Sequence, residues 1–216
     1  MAQGYTTPAI IPLPLTVSNG GTGVVSNTSY AVLCGGTSST NPIQSVASVG
    51  TAGQVLTSNG AGALPTFQGT AVLQQVRSSN TTYSTITGTI PQDDTIPQIT
   101  EGTEVLSITI TPKSASSVLF FQVVVPGAVS AGFVAACCLF KSGTSNALAV
   151  TNMSSGSETH YTWSLNYSQT SGDTTSQTYS VRIGKQSGNC FLNGGSGGRY
   201  FGGAMVAYIT ITEYAS

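Results

Sequence analysis

The clearest pattern along the chain is an alternation of hydroxyl and apolar side chains from Ser107 to Thr111, through Ile108, Thr109 and Ile110. A period of two predicts a strand with one buried face. Pro112 ends it, because proline has no N–H to give a ladder, and Lys113 to Ser117 are small or polar enough to turn the chain. Val118 to Val125 then run almost continuously apolar as a second strand, with a turn signal at Pro126-Gly127. Two neighbouring strands this apolar need a second sheet or a partner subunit to cover them.

The same reading predicts further strands over Ala71 to Arg77, Thr82 to Thr87, Phe133 to Lys141, Ala147 to Thr151, His160 to Tyr167, Thr178 to Ile183 and Ala204 to Thr212. Turn-rich connections separate them at Lys141 to Ser145, Thr170 to Thr175 and Gly184 to Ser187. No stretch has a helical period. Many short strands at this spacing predict an all-β fold, an antiparallel sandwich of jelly-roll type over residues 69–216.

Charge changes the picture of the first third. Met1 to Val76 contains no Asp, Glu, Lys, Arg or His, and charge first appears at Arg77. This part divides into a Pro-rich lead, residues 1–15, and a Gly/Ser/Thr/Asn-rich section, residues 16–68. In that section brief apolar steps such as Ala31-Val32-Leu33 and Gln54-Val55-Leu56 alternate with glycine turns. One copy has too few large apolar side chains to cover such strands, so winding together with other copies is the simplest agent of order.

Several of these stretches resemble the short Gly-rich repeats of tailed-bacteriophage fibre proteins. They are Leu15 to Gly23 (Leu-Thr-Val-Ser-Asn-Gly-Gly-Thr-Gly), Tyr30 to Leu33, Pro42 to Val46, and Gly50 to Gly62 followed by Pro65-Thr-Phe67. The span that holds them, Leu15 to Phe67, is about a quarter of the chain. There is one short block, without a long shaft or coiled coil. The resemblance implies an elongated, usually trimeric fibre ending in a β-rich head. It implies a tail-fibre location on a virion, made in the host cytoplasm, with the N-terminal segment attached to other virion structural proteins. The Ile209 to Tyr214 ending and the pair at Ser107 to Val125 are similar to jelly-roll heads of that family. A host surface glycan or protein is the implied partner of the head.

Composition fits a protein held in an assembly. Only 6% of the 216 residues are charged, against roughly 25% in ordinary soluble domains, and the formal charge is -1. Without a basic run, nucleic acid is not an expected partner. Val118 to Phe140 is mostly apolar, but Pro126-Gly127, Gln122, Ser130 and the β-branched run Val123 to Val125 argue against a membrane span. Residues 1–15 lack the charged and continuous apolar parts of a secretion signal.

Little in the chain suggests catalysis, and the chain is read as non-enzymatic and without a cofactor. His160, the single histidine, stands in Glu158-Thr-His-Tyr-Thr-Trp163 without an evident nucleophile. The acids are Asp93, Asp94, Glu101, Glu104, Glu158, Asp173 and Glu213; two of them meeting across subunits would suit a polysaccharide depolymerase. Asp93-Asp94 could bind a cation, though a solvated loop is the default. Cys34, Cys137, Cys138 and Cys190 fit no metal spacing and read as buried reduced thiols, with Cys137 and Cys138 facing opposite ways.

The best recognition stretch is Ser187 to Tyr200, whose glycines would let backbone approach a ligand. Asn193, Arg199, Tyr200 and Phe201 would offer amide, guanidinium and aromatic groups. A flexible connection packing at a subunit boundary is the competing reading. Tyr161, Trp163 and Tyr167 share one strand face and read first as core or interface residues, with an exposed binding strip as the alternative, under which Trp163 joins the receptor-binding candidates. The alternatives to a receptor-binding fibre are a capsid decoration or connector and the depolymerase.

Overall fold

The computed structural model describes residues 15–51, 53–130, 133–157 and 159–215. The N-terminal attachment segment, 1–15, lies outside the described residues except for Leu15, as does Glu158. The chain divides into two compact units, Met1–Thr70 and Ala71–Ser216.

In the first unit a 3-10 turn, Val17–Asn19, is closed by Gly20 in the left-handed region (φ 82°). Strands β1 (Leu33–Cys34) and β2 (Gln44–Ser45) pair antiparallel, as do β3 (Val55–Thr57) and β4 (Thr66–Gln68). Side-chain amides fasten the turns: Asn59 Nδ2 donates to the Leu64 carbonyl at 2.7 Å. Among the described residues of this unit Val46 is the large apolar side chain that is buried, while Val25, Tyr30, Val32, Leu33, Val49, Val55 and Leu56 are exposed. Among the described residues that leaves little apolar burial to set against the cost of ordering the chain.

The second unit is a sandwich of two antiparallel sheets. Its strands are β5 (Val72–Asn80), β6 (Ser84–Ile86), β7 (Thr103–Ile110), β8 (Val118–Val129), β9 (Phe133–Lys141), β10 (Ala149–Ser155), β11 (Thr159–Thr170), β12 (Gln177–Lys185), β13 (Cys190–Leu192), β14 (Gly194–Gly195), β15 (Gly198–Arg199) and β16 (Ala207–Tyr214). One sheet has the order β10-β9-β12-β7; the other runs β5-β16-β8-β13-β6, with β11 on the second edge of β8. Most connections cross from one sheet to the other, which gives the fold its jelly-roll-like character.

Alternation places the core. Phe121, Val123 and Val125 of β8, Cys137 and Leu139 of β9, Trp163 and Leu165 of β11, Val181 and Ile183 of β12, and Ile209 and Ile211 of β16 all point between the sheets and are buried. β7 contributes its even positions, Leu106, Ile108 and Ile110. A second cluster lies on the other side of the four-stranded sheet, where Ile90 covers Cys138 and Phe140. Cys137 and Cys138 thus face opposite ways, as the strand period requires.

Pro126-Gly127 does not turn the chain. β8 continues through it to Val129, because its partner on one edge changes there: β16 pairs with Val118 to Val124, and β13 with Gly127 to Val129. The Pro126 carbonyl faces that edge and accepts the Asn193 N–H at 2.9 Å. The missing proline N–H falls on the same edge, at the changeover, where no ladder bond is lost. Gly127 leaves room for what crosses it: a Cβ there would overlap the Phe191 carbonyl and come within 2.9 Å of Trp163 Cζ3.

Candidate functional site

The stretch from Ser187 to Tyr200 is not a loop throughout. Cys190–Leu192 forms β13 and is buried, and Gly194–Gly195 pairs with Gly198–Arg199 as a tight hairpin. The glycines serve packing here: a Cβ on Gly194 would overlap the Gly198 carbonyl and come within 2.7 Å of Tyr83 Cδ2. Tyr83 stacks on Phe191 and donates its hydroxyl to the Gly195 carbonyl at 3.1 Å.

Two receptor-binding candidates are therefore corrected. Asn193 is fully buried with φ 54°, and its Nδ2 donates to the carbonyls of Asn80 and Thr82 at 2.9 and 3.1 Å. It satisfies the turn after β5 and presents nothing to solvent. Trp163 is 1% exposed, packed opposite Val125 in the core. Tyr161 and Tyr167 of the same face pack partly buried against that core, which decides for core over binding strip.

Arg199, Tyr200 and Phe201 come together at an exposed tip. Tyr200 enters a 3-10 turn, Phe201–Gly203, in which Phe201 has φ 50°, Gly202 φ 63° and Gly203 φ 92°. Phe201 is 79% exposed. A bulky residue in the left-handed region is strained, and one that also holds its ring in water has no packing reason to be there. The Arg199 guanidinium lies along Gly203, where a Cβ would meet Nη1 at 3.1 Å. The Tyr200 ring turns back onto His160, edge to face, with centroids 5.0 Å apart, and its centroid lies 6.5 Å from that of Phe201.

His160 is the residue that sequence reasoning did not assign to this site. It stands opposite Ala128 on β11, on the outer face of the six-stranded sheet, and no sequence signal links it to the distant Tyr200. The arrangement can do what exposed aromatic and cationic groups do, which is to stack on and hydrogen-bond a surface.

Among the described residues no group of three His, Cys, Asp or Glu side chains is placed to hold a metal ion. Asp93 is a solvated turn: Oδ1 accepts the Thr95 hydroxyl at 2.5 Å and its N–H at 2.9 Å, and the hydroxyl first, then the amide, hold its carboxyl below the usual range. The four cysteines are unpaired. Burial pushes the Cys138 and Cys190 thiols up to about 12 and Cys137 higher still, so these are core packing groups. No helix among the described residues is long and apolar enough to cross a membrane.

No protein-family model matches the chain, and no curated protein does. Among solved structures it is similar to Eiger TNF from S. frugiperda, at 9% identity over 66% of this chain and 94% of that one, with a TM-score of 0.40. It is also similar to the structure of infectious bursal disease virus Gx strain, at 12% identity over 76% of this chain and 42% of that one, with a TM-score of 0.30. Identities this low carry nothing about function.

Proposed function

We propose that the chain is a non-enzymatic structural virion protein of fibre type, whose 15–70 unit associates with further copies, as a homotrimer, and whose β-sandwich head touches the host cell surface through the Arg199–Phe201 tip. The observation that carries the reading is Phe201, an exposed aromatic held in the left-handed region in the connection between β15 and β16. The apolar side chains left exposed in the first unit support self-association, since winding copies together would cover them. The low charge and the Gly-rich repeats support the same reading. Several copies per fibre would turn weak tip contacts into firm attachment by effective concentration.

Immunogold electron microscopy with antibodies to the head tests the placement. Gold at the distal end of tail appendages is the expected result; gold over the capsid would make the chain a decoration, and unlabelled particles would end the virion reading. Multi-angle light scattering of the purified chain should give a trimer mass that persists on dilution, and a stable monomer would contradict the assembly.

Phe201→Asn tests the tip itself. Asparagine tolerates the left-handed backbone and removes the ring, so the unfolding midpoint should hold. Binding to host cells should weaken about 30-fold, the effect of losing an aromatic anchor worth about 2 kcal/mol. Unchanged binding would exclude the tip as the contact surface.

A further inference from the structure

A cavity of about 510 Å³ lies on the outer face of the four-stranded sheet, far in character from the aromatic tip. Its floor is Val134 and Ala136 of β9 and Val150 of β10; its wall is the segment from Ile90 to Pro97. That segment is seated at both ends and bowed between them. At one end Ile90 is buried, its N–H donates to the Lys185 carbonyl at 3.1 Å, and the Lys185 N–H returns to the Gly88 carbonyl at 3.2 Å. Gly184 makes the seat, since a Cβ there would overlap Ile90 Cγ1 and come within 2.8 Å of its backbone nitrogen. At the other end the Ala147 N–H donates to the Pro97 carbonyl and the Ile99 N–H to the Ser145 carbonyl, at 2.9 and 2.8 Å.

Between these anchors the wall is stiff. Pro91 and Pro97 fix their φ angles, and the Asp93 carboxylate holds the bend through Thr95. The cleft is thus formed before any ligand arrives, and binding would cost little ordering. Its volume lies in the range of about 300–1,000 Å³ usual for small-ligand sites.

The chemistry of the lining narrows the ligand. Around the small aliphatic floor stand three exposed amides, Gln92, Asn152 and Gln186, and one carboxylate, Asp93. Among the described residues no Lys, Arg or His lines it. The three cations of the same sheet are engaged elsewhere: Arg182 donates to the carbonyls of Glu101 and Gly102 and pairs with Glu104, Lys185 Nζ donates to the Gly188 carbonyl at 2.6 Å, and Lys141 Nζ stands over the Tyr179 ring, 6.0 Å from its centroid. An anionic ligand would meet a carboxylate and no counter-charge. A wholly apolar one would take water from the amides and from the carboxylate oxygen that Thr95 does not hold, and give nothing in its place. A ring with hydroxyls on its rim and C–H groups on its face satisfies both the amides and the floor.

We propose that this cleft is a binding site for a neutral saccharide, one or two pyranose rings at a time, with Gln92, Asn152, Gln186 and Asp93 taking the ring hydroxyls and Val134, Ala136 and Val150 its C–H face. It names a partner class for the head at a site separate from the tip, so its failure is distinguishable from failure of the tip. The test is a glycan array probed with the full chain, followed by NMR titration of the full chain with methyl glycosides of neutral hexoses and, in parallel, of glucuronic and sialic acids.

Neutral glycosides should bind in the millimolar range and the acidic ones should not. Val150→Arg, which fills the cleft from a half-exposed position, and Asn152→Ala should each weaken binding at least tenfold with the unfolding midpoint held, while Phe201→Asn should leave this binding intact. If Val150→Arg lowers the midpoint, Gln186→Ala, at an exposed position, takes its place. Preference for acidic sugars, binding lost in Phe201→Asn but kept in Val150→Arg, or no neutral glycoside bound at tens of millimolar would each overturn the proposal.

Discussion

Replacing Trp163 by alanine is expected to lower the midpoint of thermal unfolding by roughly 10 °C. Trp163 is buried between the sheets, opposite Val125, with its ring edge over Gly127. Removing so large a buried side chain costs about 3–5 kcal/mol, because the rigid sheets on either side relax only partly into the space. In a chain of this size each kcal/mol moves the midpoint by about 2–4 °C. Trp163→Phe should cost much less than its lost volume implies. It keeps a ring over Gly127, and it gives up an indole N–H that is buried without a protein acceptor. Circular dichroism melts of both variants check this; a fall of less than about 3 °C for the alanine variant would mean the ring is not a core element. Trp163→Phe should also leave host binding unchanged, which would have been a surprise had this residue formed a surface strip.

The ease of reading that strand, and the error over Trp163, have the same origin. Alternation reports which residues share a face, and Tyr161, Trp163 and Tyr167 do; it does not report what lies over the face. β9 was legible at both ends, Phe133 and Lys141, because an apolar run stood between turn signals. β8 was misread at Pro126, since proline stops a strand only where its N–H is needed, and here two different strands share that edge. The glycines at 184 and 194 carried no sequence mark of their purpose. Whether a glycine frees backbone for a ligand or admits Ile90 or Tyr83 depends on residues distant in sequence. The tip was half legible: Arg199, Tyr200 and Phe201 adjoin in the chain, but His160 reaches them only through the path of β11 across the sheet. The proposed saccharide cleft left no trace in the sequence, because its wall is placed by four separate backbone hydrogen bonds and not by a motif.

Glu213 is the residue whose role the sequence concealed most fully, and its removal should be felt both in stability and in the response to acid. Counted among acids available for catalysis, it is instead the last inward position of β16 and wholly buried. Oε1 accepts the Ser117 hydroxyl at 2.6 Å and the N–H groups of Lys113 and Ser114 at 2.7 and 3.3 Å; Oε2 accepts Gln74 Nε2 at 2.5 Å. One carboxylate thus ties β5 and β16 to the turn between β7 and β8. Burial is the largest single influence and pushes its pKa upward, but the four donors together outweigh it and hold the carboxyl below its ordinary value. The folded chain therefore takes up this proton less readily than the unfolded one. The resulting stability is present above the ordinary glutamate pKa of about 4.3 and is lost as pH falls through the folded value. Glu213→Gln puts an amide where two oxygens were; Gln74 can turn its own oxygen toward the new NH₂ only by giving up its 2.7 Å bond to the Thr111 carbonyl. The loss at pH 7 should be about 2–4 kcal/mol, that of charged hydrogen bonds broken in a buried place. Midpoints measured from pH 7 to pH 3 should show the wild type falling toward the variant in acid. Asp93 and Asp173 remain in both chains, so the narrowing isolates Glu213. Parallel curves, or equal midpoints at pH 7, would show that the buried carboxylate does not hold the turn.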